Sequence, residues 1–534
     1  MKDYTKRQKI LIVLGVSLFI LIGSGLTYAG LMWATSNPIN IGLTSGCFEI
    51  NYTPGGAINN ANVEVMNEST LISNNKFTIT EGIALTYANI GIKSTCSIEG
   101  YGSLYLNVTN LSNAFTTGSS KGSLKYAILN NTSSSTNLTV AGLKGQSFDI
   151  VKKGTMTNTG TINILNKKLS NTVQNKYLIV FYIDGSKIGN DVIGASFAGN
   201  ISADAHQGKI PPSLYEGLAK LIANDTFKST KTVTLNNVNY KYDDTHKLME
   251  DTAGNIRYYG ASPNNYIYFN CSDYNNQTSD TCETWRIIGV FDGKVKIMRG
   301  RPIGTYSWDS SANDVNSGGG VNEWSQSDLM KLLNSGYDSE SVGGSLYWNA
   351  KSGECYNGRN NAKGSCDFTS TGLKNATTRN MIAETTYYTR GHNGSGIYVN
   401  AMYDKERVSG TVVNATPPRT TSWTGKIAIP YPSDYGYAAD LSLCQKTLYN
   451  YGDATCTANN WMKNILGTSS YSWLLTPYSA YAYAAWYVIL PGGVNANGGK
   501  ACNAYWVVPV LSLISELDIG PGSGTSSSPY QLSV

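Results

Sequence analysis

A chain of 534 residues is long enough for two or three domains. Only 14% of its residues are charged, against about 25% in typical soluble domains. The formal net charge is +5, and Lys2, Lys6, Arg7 and Lys9 against Asp3 already supply most of it. Because nucleic acid is held by clustered Lys and Arg, the nearly neutral remainder excludes a nucleic-acid partner from our expectations.

The first predicted element is an apolar segment within residues 1–33. Residues 10–22 are uncharged and follow the basic cluster, which is typical of a secretory signal. Residues 27–29 fit a small-residue cleavage site, yet the uncharged run continues to Trp33 and reaches the length of a membrane span. We therefore predict an extracellular, cell-surface protein. It is either anchored by a single N-terminal transmembrane helix or released after cleavage near Ala29.

Residues 38–206 are predicted to form a β-sandwich domain. Apolar residues alternate with polar ones near residues 48–52 and 104–108, as in half-buried strands. Residues 177–183 form a continuous apolar run that ends at Asp184-Gly185, which indicates a buried strand entering a turn. Short strands separated by Asn, Gly, Ser and Thr are the pattern of a sandwich or barrel.

Residues 207–250 are predicted to be a helical connector. Ser213 and Glu216 have the spacing of a capping box after two prolines. Leu214, Leu218 and Leu221, followed by Ile222, place an apolar stripe on one helix face.

Residues 251–520 combine strands, short helices and long irregular segments. Residues 285–291 and 294–298 flank Asp292-Gly293 and predict a hairpin. Helices are predicted after Ser325 and over residues 459–466. We therefore predict a mainly β fold with an α+β C-terminal domain. Residues 521–534 are predicted to form a C-terminal tail.

Nine cysteines agree with export. Six of them lie in close pairs that enclose polar loops, and closing such a loop contributes about 3 kcal/mol in the chain-entropy model. We predict these bonds as Cys271 with Cys282, Cys355 with Cys366, and Cys444 with Cys456. Cys47 and Cys96 form a fourth pair by elimination, which leaves Cys502 unpaired.

Motifs in the second half of the chain resemble one family. They are WRIIGV at 285–290, KIAIPYPSDYG at 426–436, WLLTP at 473–477, GGV at 492–494 and VPVL at 508–511. The family comprises uncharacterised surface domains of Gram-positive bacteria and is similar to the C-type-lectin-like fold of formylglycine-generating enzymes. Variable proteins of diversity-generating retroelements use this fold as well. The resemblance implies a rigid frame whose loops near the C-terminus form a changeable binding face.

The first domain resembles the camelysin/TasA-type β proteins of biofilm matrix. The resemblance includes the signal, where Gly25, Thr27, Tyr28 and Ala29 end the apolar run. It implies self-assembly in which residues 30–41 add as a strand to the next subunit, which a retained anchor would prevent.

No catalytic residue, metal site or cofactor is predicted. The three histidines are scattered, no C-x-x-C occurs, and no nucleophile, zinc-protease or phosphate-loop motif is present. Formylglycine-generating enzymes use a cysteine pair late in the fold, and here Cys502 lacks the second member. An exported enzyme of that type is therefore the second alternative.

The candidate ligand-binding residues lie between 471 and 505. Tyrosine and tryptophan give large contact areas at low entropic cost, and asparagine adds adaptable hydrogen bonds. The predicted site comprises Tyr471, Tyr478, Tyr481, Tyr483, Trp486, Tyr487, Asn495, Asn497, Lys500, Asn503 and Tyr505. Trp486 is also compatible with a core strand. The tyrosines at 478, 481 and 483 are alternatively ordinary loop-packing residues, and the asparagines and Lys500 alternatively belong to turns without a ligand.

We predict a cell-surface binding or adhesion protein. Its tyrosine-rich face on a lectin-like domain takes a glycan or protein ligand on another cell or surface. The main alternative is a structural subunit of an extracellular fibre or biofilm matrix.

Overall fold

The computed structural model describes residues 44–45, 48–59, 63–94, 100–169, 173–207, 215, 217–311, 319–394, 396–412, 419–495, 499–515 and 517–533. The chain separates into two compact units, Met1–Ile210 and Pro211–Val534. Multiple antiparallel sheets build both units, which confirms the predicted mainly β fold class.

Twelve strands are described in the first unit. In chain order, β1 to β12 are Thr44–Ser45, Phe48–Pro54, Val65–Met66, Ile72–Ser73, Lys76–Thr78, Ala84–Ser94, Gly100–Leu111, Leu124–Asn130, Ser147–Thr155, Gly160–Leu169, Gln174–Asp184 and Phe197–Gln207. One sheet has the order β1-β2-β6-β11-β8-β9-β5-β4, with β3 parallel to β11, and the other has the order β10-β7-β12. Short helices occupy Glu68–Leu71, Asn113–Thr116 and Val140–Leu143, and 3-10 turns occupy Gly185–Lys187 and Asn190–Val192.

The core of the first unit follows from side-chain alternation along β11. Ile179 and Phe181 face a cluster that also contains Leu104 and Leu106 of the three-stranded sheet. The intervening Val180 belongs to a second cluster on the other face. Because β11 is covered on both faces, its sequence is a continuous apolar run rather than an alternating one. This confirms the predicted buried strand.

Twenty strands are described in the second unit. In chain order, β13 to β32 are Lys231–Leu235, Val238–Asp243, Leu248–Glu250, Ile256–Tyr258, Tyr266–Phe269, Glu283–Phe291, Lys294–Arg299, Thr305–Ser307, Ser352–Tyr356, Lys363–Asp367, Thr385–Tyr388, Ser422–Gly425, Ile427–Ala428, Ser472–Pro477, Ala485–Val488, Val494–Asn495, Ala504–Trp506, Val510–Ser512, Asp518–Ile519 and Leu532–Ser533. The larger sheet has the order β13-β14-β15-β16-β18-β19-β30-β25, with β17 paired to β18. A second sheet has the order β20-β29-β26-β27-β28. The predicted hairpin of β18 and β19 is confirmed.

Helices in the second unit are short. They are Gly217–Lys220, Asp328–Leu333, Ala376–Asn380, Val399–Arg407, Pro432–Tyr437 and Ala454–Ala458, with a π-helical turn at Leu221–Thr226 and 3-10 turns at Trp324–Gln326, Leu448–Gly452 and Trp461–Asn464. The helix predicted after Ser325 begins at Asp328, because the Ser327 hydroxyl accepts the N–H of Met330 as its N-cap. The helix predicted over 459–466 is only a 3-10 turn.

Three disulfides have the predicted partners. They join Cys271 to Cys282, Cys355 to Cys366 and Cys444 to Cys456. The predicted pair of Cys47 and Cys96 lies outside the described residues.

Two predicted boundaries are wrong. The connector over 207–250 is helical only from Gly217 to Thr226 within the described residues, and β13 to β15 fill its second half. The tail predicted from residue 521 belongs to the second unit, because β32 pairs with β31 and the Tyr530 N–H donates to the Tyr266 carbonyl over 2.9 Å. Ser213, Leu214 and Glu216 lie outside the described residues.

The prediction of a single N-terminal transmembrane helix is corrected. Among the helices of the described residues, none combines the length and the apolar character that crossing a bilayer requires. The segment that carried the prediction, residues 1–33, lies outside the described residues. The anchor is accordingly withdrawn.

Candidate functional site

The strongest candidate site is the turn between β26 and β27, residues 478–484, which we call the tyrosine turn. Both strands are buried along their whole length, so the turn extends from a rigid hairpin. Residues 391–392 run beside its first residues, and a Cβ at Gly391 would lie 2.4 Å from the Pro477 carbonyl oxygen. Only glycine allows this close approach.

Asn322 holds the backbone of the tyrosine turn. Its side-chain amide is buried and donates to the carbonyls of Tyr478 at 3.2 Å, Tyr481 at 2.9 Å and Ala484 at 2.6 Å. Its own backbone N–H donates to the Ala482 carbonyl over 2.8 Å. One side chain therefore fixes three carbonyls of a seven-residue segment.

Further bonds fix the rest of the turn. The Tyr478 N–H donates to the Ala484 carbonyl over 2.9 Å, and the Ala501 N–H donates to the Tyr483 carbonyl over 2.7 Å. The Ser479 N–H donates to the His392 carbonyl over 3.3 Å. A loop that is ordered before binding loses less entropy when a ligand arrives.

Three tyrosine side chains lie on this fixed backbone. Tyr481 and Tyr483 stack with ring centroids 5.3 Å apart and an interplanar angle of 13°, and Tyr478 lies 5.6 Å from Tyr481. Tyr481 is 47% exposed, and the other two are half-buried. Their hydroxyls make no hydrogen bond to any part of the chain that the structure describes. The turn therefore presents ring surface and polar groups that are free for a ligand.

Two basic side chains contact the tyrosine turn, and His392 lies beside it. Lys500 places its Nζ 5.5 Å from the centroid of Tyr483. Arg419 donates from Nη2 to the Ala482 carbonyl over 3.4 Å. Burial and then the charge of Lys405 lower the pKa of His392, which therefore favours its neutral form near pH 7.

A second group of predicted residues packs at the other end of the hairpin. We call Tyr471, Trp473, Tyr487 and Tyr505 the aromatic cluster, in which Tyr505 lies 4.5 Å from Trp473, 5.2 Å from Tyr487 and 5.3 Å from Tyr471. Burial raises the pKa of Tyr487 to about 12. Asn503 donates to the Tyr505 hydroxyl over 2.8 Å. Only Tyr471, at 40% exposed, offers much surface to a ligand.

Two predicted ligand residues are corrected to core residues. Trp486 is fully buried, and its Nε1 donates to the His392 carbonyl over 3.1 Å. Tyr487 is only 6% exposed. Asn495 is half-buried in β28, opposite Tyr487. Asn497 lies outside the described residues.

Three residues of the site are absent from the sequence-based prediction. Asn322, His392 and Arg419 precede the turn by long stretches of chain and carry no motif. Their contribution depends on tertiary contacts alone, so no local pattern could have identified them.

Cys502 is buried and has no cysteine partner among the described residues. Burial raises the pKa of its thiol, and the charge of nearby Arg359 opposes that rise. Its carbonyl accepts the Ser307 hydroxyl over 2.9 Å. Across the described ranges, His, Cys, Asp and Glu do not gather into a set that could hold a metal ion.

A buried charge network centres on Asp434. This carboxylate accepts from Arg257 at 3.0 Å and from Lys296, and all three side chains are buried. Although burial alone raises the pKa of Asp434, Lys296, Arg257 and Arg407 lower it to about 2. Burial lowers the pKa of Lys296 to about 8 against the opposing effect of Asp434. Arg257 also pairs with Asp251 at 2.6 Å, and Arg407 pairs with Glu406. We interpret the network as a structural link between strands and helices, because three carboxylates offset three cations away from solvent.

Comparison with known proteins identifies no family. No protein-family model and no curated protein matches the chain. Among solved structures an allantoicase matches with 8% identity and a TM-score of 0.12, over 43% of this chain and 58% of that chain. The chain thus spans less than two thirds of the allantoicase that it matches, and the low TM-score carries no argument about fold or activity. The two family resemblances stay predictions.

Proposed function

We propose that the second unit is a glycan-binding module whose ligand contacts the tyrosine turn. The observation that carries this proposal is a backbone fixed by Asn322 beneath tyrosines whose hydroxyls bond to none of the described residues. Tyrosine rings stack on the apolar faces of sugars, and their hydroxyls bond to sugar hydroxyls. The lectin-like assignment of residues 251–520 and the sandwich assignment of residues 38–206 are parts of the same proposal.

The size of the turn favours a glycan over a folded protein. A stable protein interface uses roughly 20–30 residues on each side. The tyrosine turn has seven residues and three aromatic side chains, which is enough for a few sugar rings. The three disulfides support a role in an oxidising compartment.

Within the described residues, no observation supports the fibre hypothesis or the enzyme hypothesis. The donor segment of the fibre hypothesis, residues 30–41, lies outside the described residues. Cys502, the basis of the enzyme hypothesis, has no second thiol beside it within the described residues.

A single pair of variants tests the proposal. Tyr481 and Tyr449 are each 47% exposed, but only Tyr481 belongs to the tyrosine turn. We expect Tyr481→Ala to weaken glycan binding roughly tenfold or more, since an aromatic hot spot contributes about 2 kcal/mol. Tyr449→Ala serves as the matched control and should bind as the wild type does. Binding is measured with the purified full chain on a glycan array and then by calorimetry.

Equal loss of binding in both variants, or in neither, contradicts a site at the turn. Binding to an immobilised protein but to no glycan would replace the glycan with a protein ligand.

A further inference from the structure

Within the described residues, four basic side chains at or near the tyrosine turn close no salt bridge. Arg390, Lys405, Arg419 and Lys500 form no ion pair with a carboxylate among the described residues, whereas Lys331 elsewhere in the unit pairs with an acidic side chain. Arg390 and Lys405 instead donate to backbone carbonyls, at 3.3 Å and 3.4 Å. Within the described ranges, these four positive charges are therefore not enclosed in salt bridges.

Arg419 has the most defined position of the four. Its Nη2 bonds to the turn at Ala482, while its Nε is buried and has no hydrogen-bond partner among the described residues. Glu323 and Asp309 attract the guanidinium electrostatically. Glu323, however, accepts from the Thr420 N–H at 3.0 Å and the Thr420 hydroxyl at 2.7 Å rather than from Arg419. The Nη1 of Arg419, by contrast, makes no hydrogen bond within the described residues and is the donor open to a ligand.

The carboxylate of Asp309 also accepts hydrogen bonds from neighbouring residues rather than from Arg419. Its Oδ1 accepts from the Ser311 hydroxyl at 2.6 Å and from the Val321 N–H at 2.9 Å. Neither carboxylate closes a salt bridge with the guanidinium. An incoming anion therefore does not have to displace an existing ion pair.

Lys500 supplies charge on the ring side of the turn. Its Nζ lies over Tyr483, which is stacked on Tyr481, so the ammonium group borders the exposed aromatic surface. A half-buried lysine beside an aromatic ring is less screened by water than one that extends into solvent. A negative group on a sugar bound at Tyr481 would thus meet a positive charge near the rings.

We propose that the ligand of the tyrosine turn is an acidic saccharide. The sugar ring stacks on Tyr481, while its carboxylate, sulfate or phosphate group accepts charge-assisted hydrogen bonds from Lys500 and Arg419. This inference rests on the proposed function and deepens it, because it names the chemical class of the glycan. Aromatic stacking alone would not distinguish acidic from neutral sugars.

The test compares charged polysaccharides with uncharged counterparts. Polygalacturonate is paired with its methyl ester, and sulfated and phosphorylated polysaccharides are paired with the same backbones without those groups. We expect the full chain to bind at least one acidic member roughly tenfold more tightly than its neutral partner. Added salt should weaken that binding.

Two charge variants locate the effect. We expect Lys500→Gln to remove most of the preference for the acidic member, and Lys446→Gln, which removes an exposed lysine outside the site, to leave it unchanged. The melting temperature of each variant is recorded to confirm folding. A preference that survives Lys500→Gln overturns the inference.

The outcomes separate this inference from the proposed function. Equal binding to acidic and neutral partners that is lost in Tyr481→Ala overturns the acidic ligand and leaves the glycan site in place. Binding to no saccharide overturns both.

Discussion

The tyrosine turn and the aromatic cluster contain the same residue types at opposite ends of one hairpin. In the turn, the rings of Tyr481 and Tyr483 pack on each other above a backbone that Asn322 fixes. In the aromatic cluster, Tyr487 and Tyr505 pack on Trp473 and become part of the core. A tyrosine-rich stretch is therefore no evidence for a binding face by itself. The role of each ring depends on what it packs against, which is another ring of the turn in one case and the core in the other.

The largest expected effect lies in the aromatic cluster. Replacing Tyr487 with alanine removes a buried ring, and large-to-small aromatic substitutions in a core cost about 3–5 kcal/mol in the free energy of unfolding. Chemical denaturation of the full chain measures this loss, and Tyr487→Phe should cost far less because it keeps the ring. If Tyr487→Ala cost under about 1 kcal/mol, the two regions would not differ as proposed.

Breaking the support beneath the turn has an intermediate effect. Asn322→Ala removes three side-chain hydrogen bonds, each with a net contribution of about 1 kcal/mol, so we expect a loss of about 2–3 kcal/mol. The hairpin core remains, so the second unit still folds. Glycan binding should also weaken, because the tyrosines lose their fixed positions.

Hydrogen exchange of the backbone amides in the turn tests whether Asn322→Ala acts locally. Faster exchange of the amides at 478 and 484 in Asn322→Ala, with unchanged exchange in β18 and β19, would assign the effect to local loosening. Uniformly faster exchange across the unit would instead make Asn322 an ordinary core residue.

The sequence predicted features that depend on local spacing. The three disulfide loops, the hairpin of β18 and β19 and the buried strand β11 all follow from short-range patterns. The predicted connector helix is longer than the observed one. Its apolar stripe ends in a π-helical turn at Thr226, after which β13 begins. The spacing of the apolar residues indicated a helix, but the sheet that begins at β13 limits the length of that helix.

The sequence-based candidate residues do not form one surface in the structure. Trp486 and Tyr487 were misassigned because β27 is covered on both faces, with Trp486 in one core cluster and Tyr487 in the other. A four-residue strand buried on both faces has no polar alternation to reveal it. Asn322 was missed because only the folded chain brings it to the turn.

The smallest effect on stability belongs to the turn itself. Replacing Tyr478, Tyr481 and Tyr483 together with alanine removes one exposed ring and two half-buried rings. Tyr478 also packs against the core cluster that contains Trp486, so we expect a loss of about 1–2 kcal/mol in the free energy of unfolding. We expect the melting temperature to change little, since the carbonyls of the turn keep their bonds to Asn322. A loss as large as that of Tyr487→Ala would mean that these rings stabilise the core. The contrast between small loss of stability and complete loss of binding is what separates a recognition surface from a packed one.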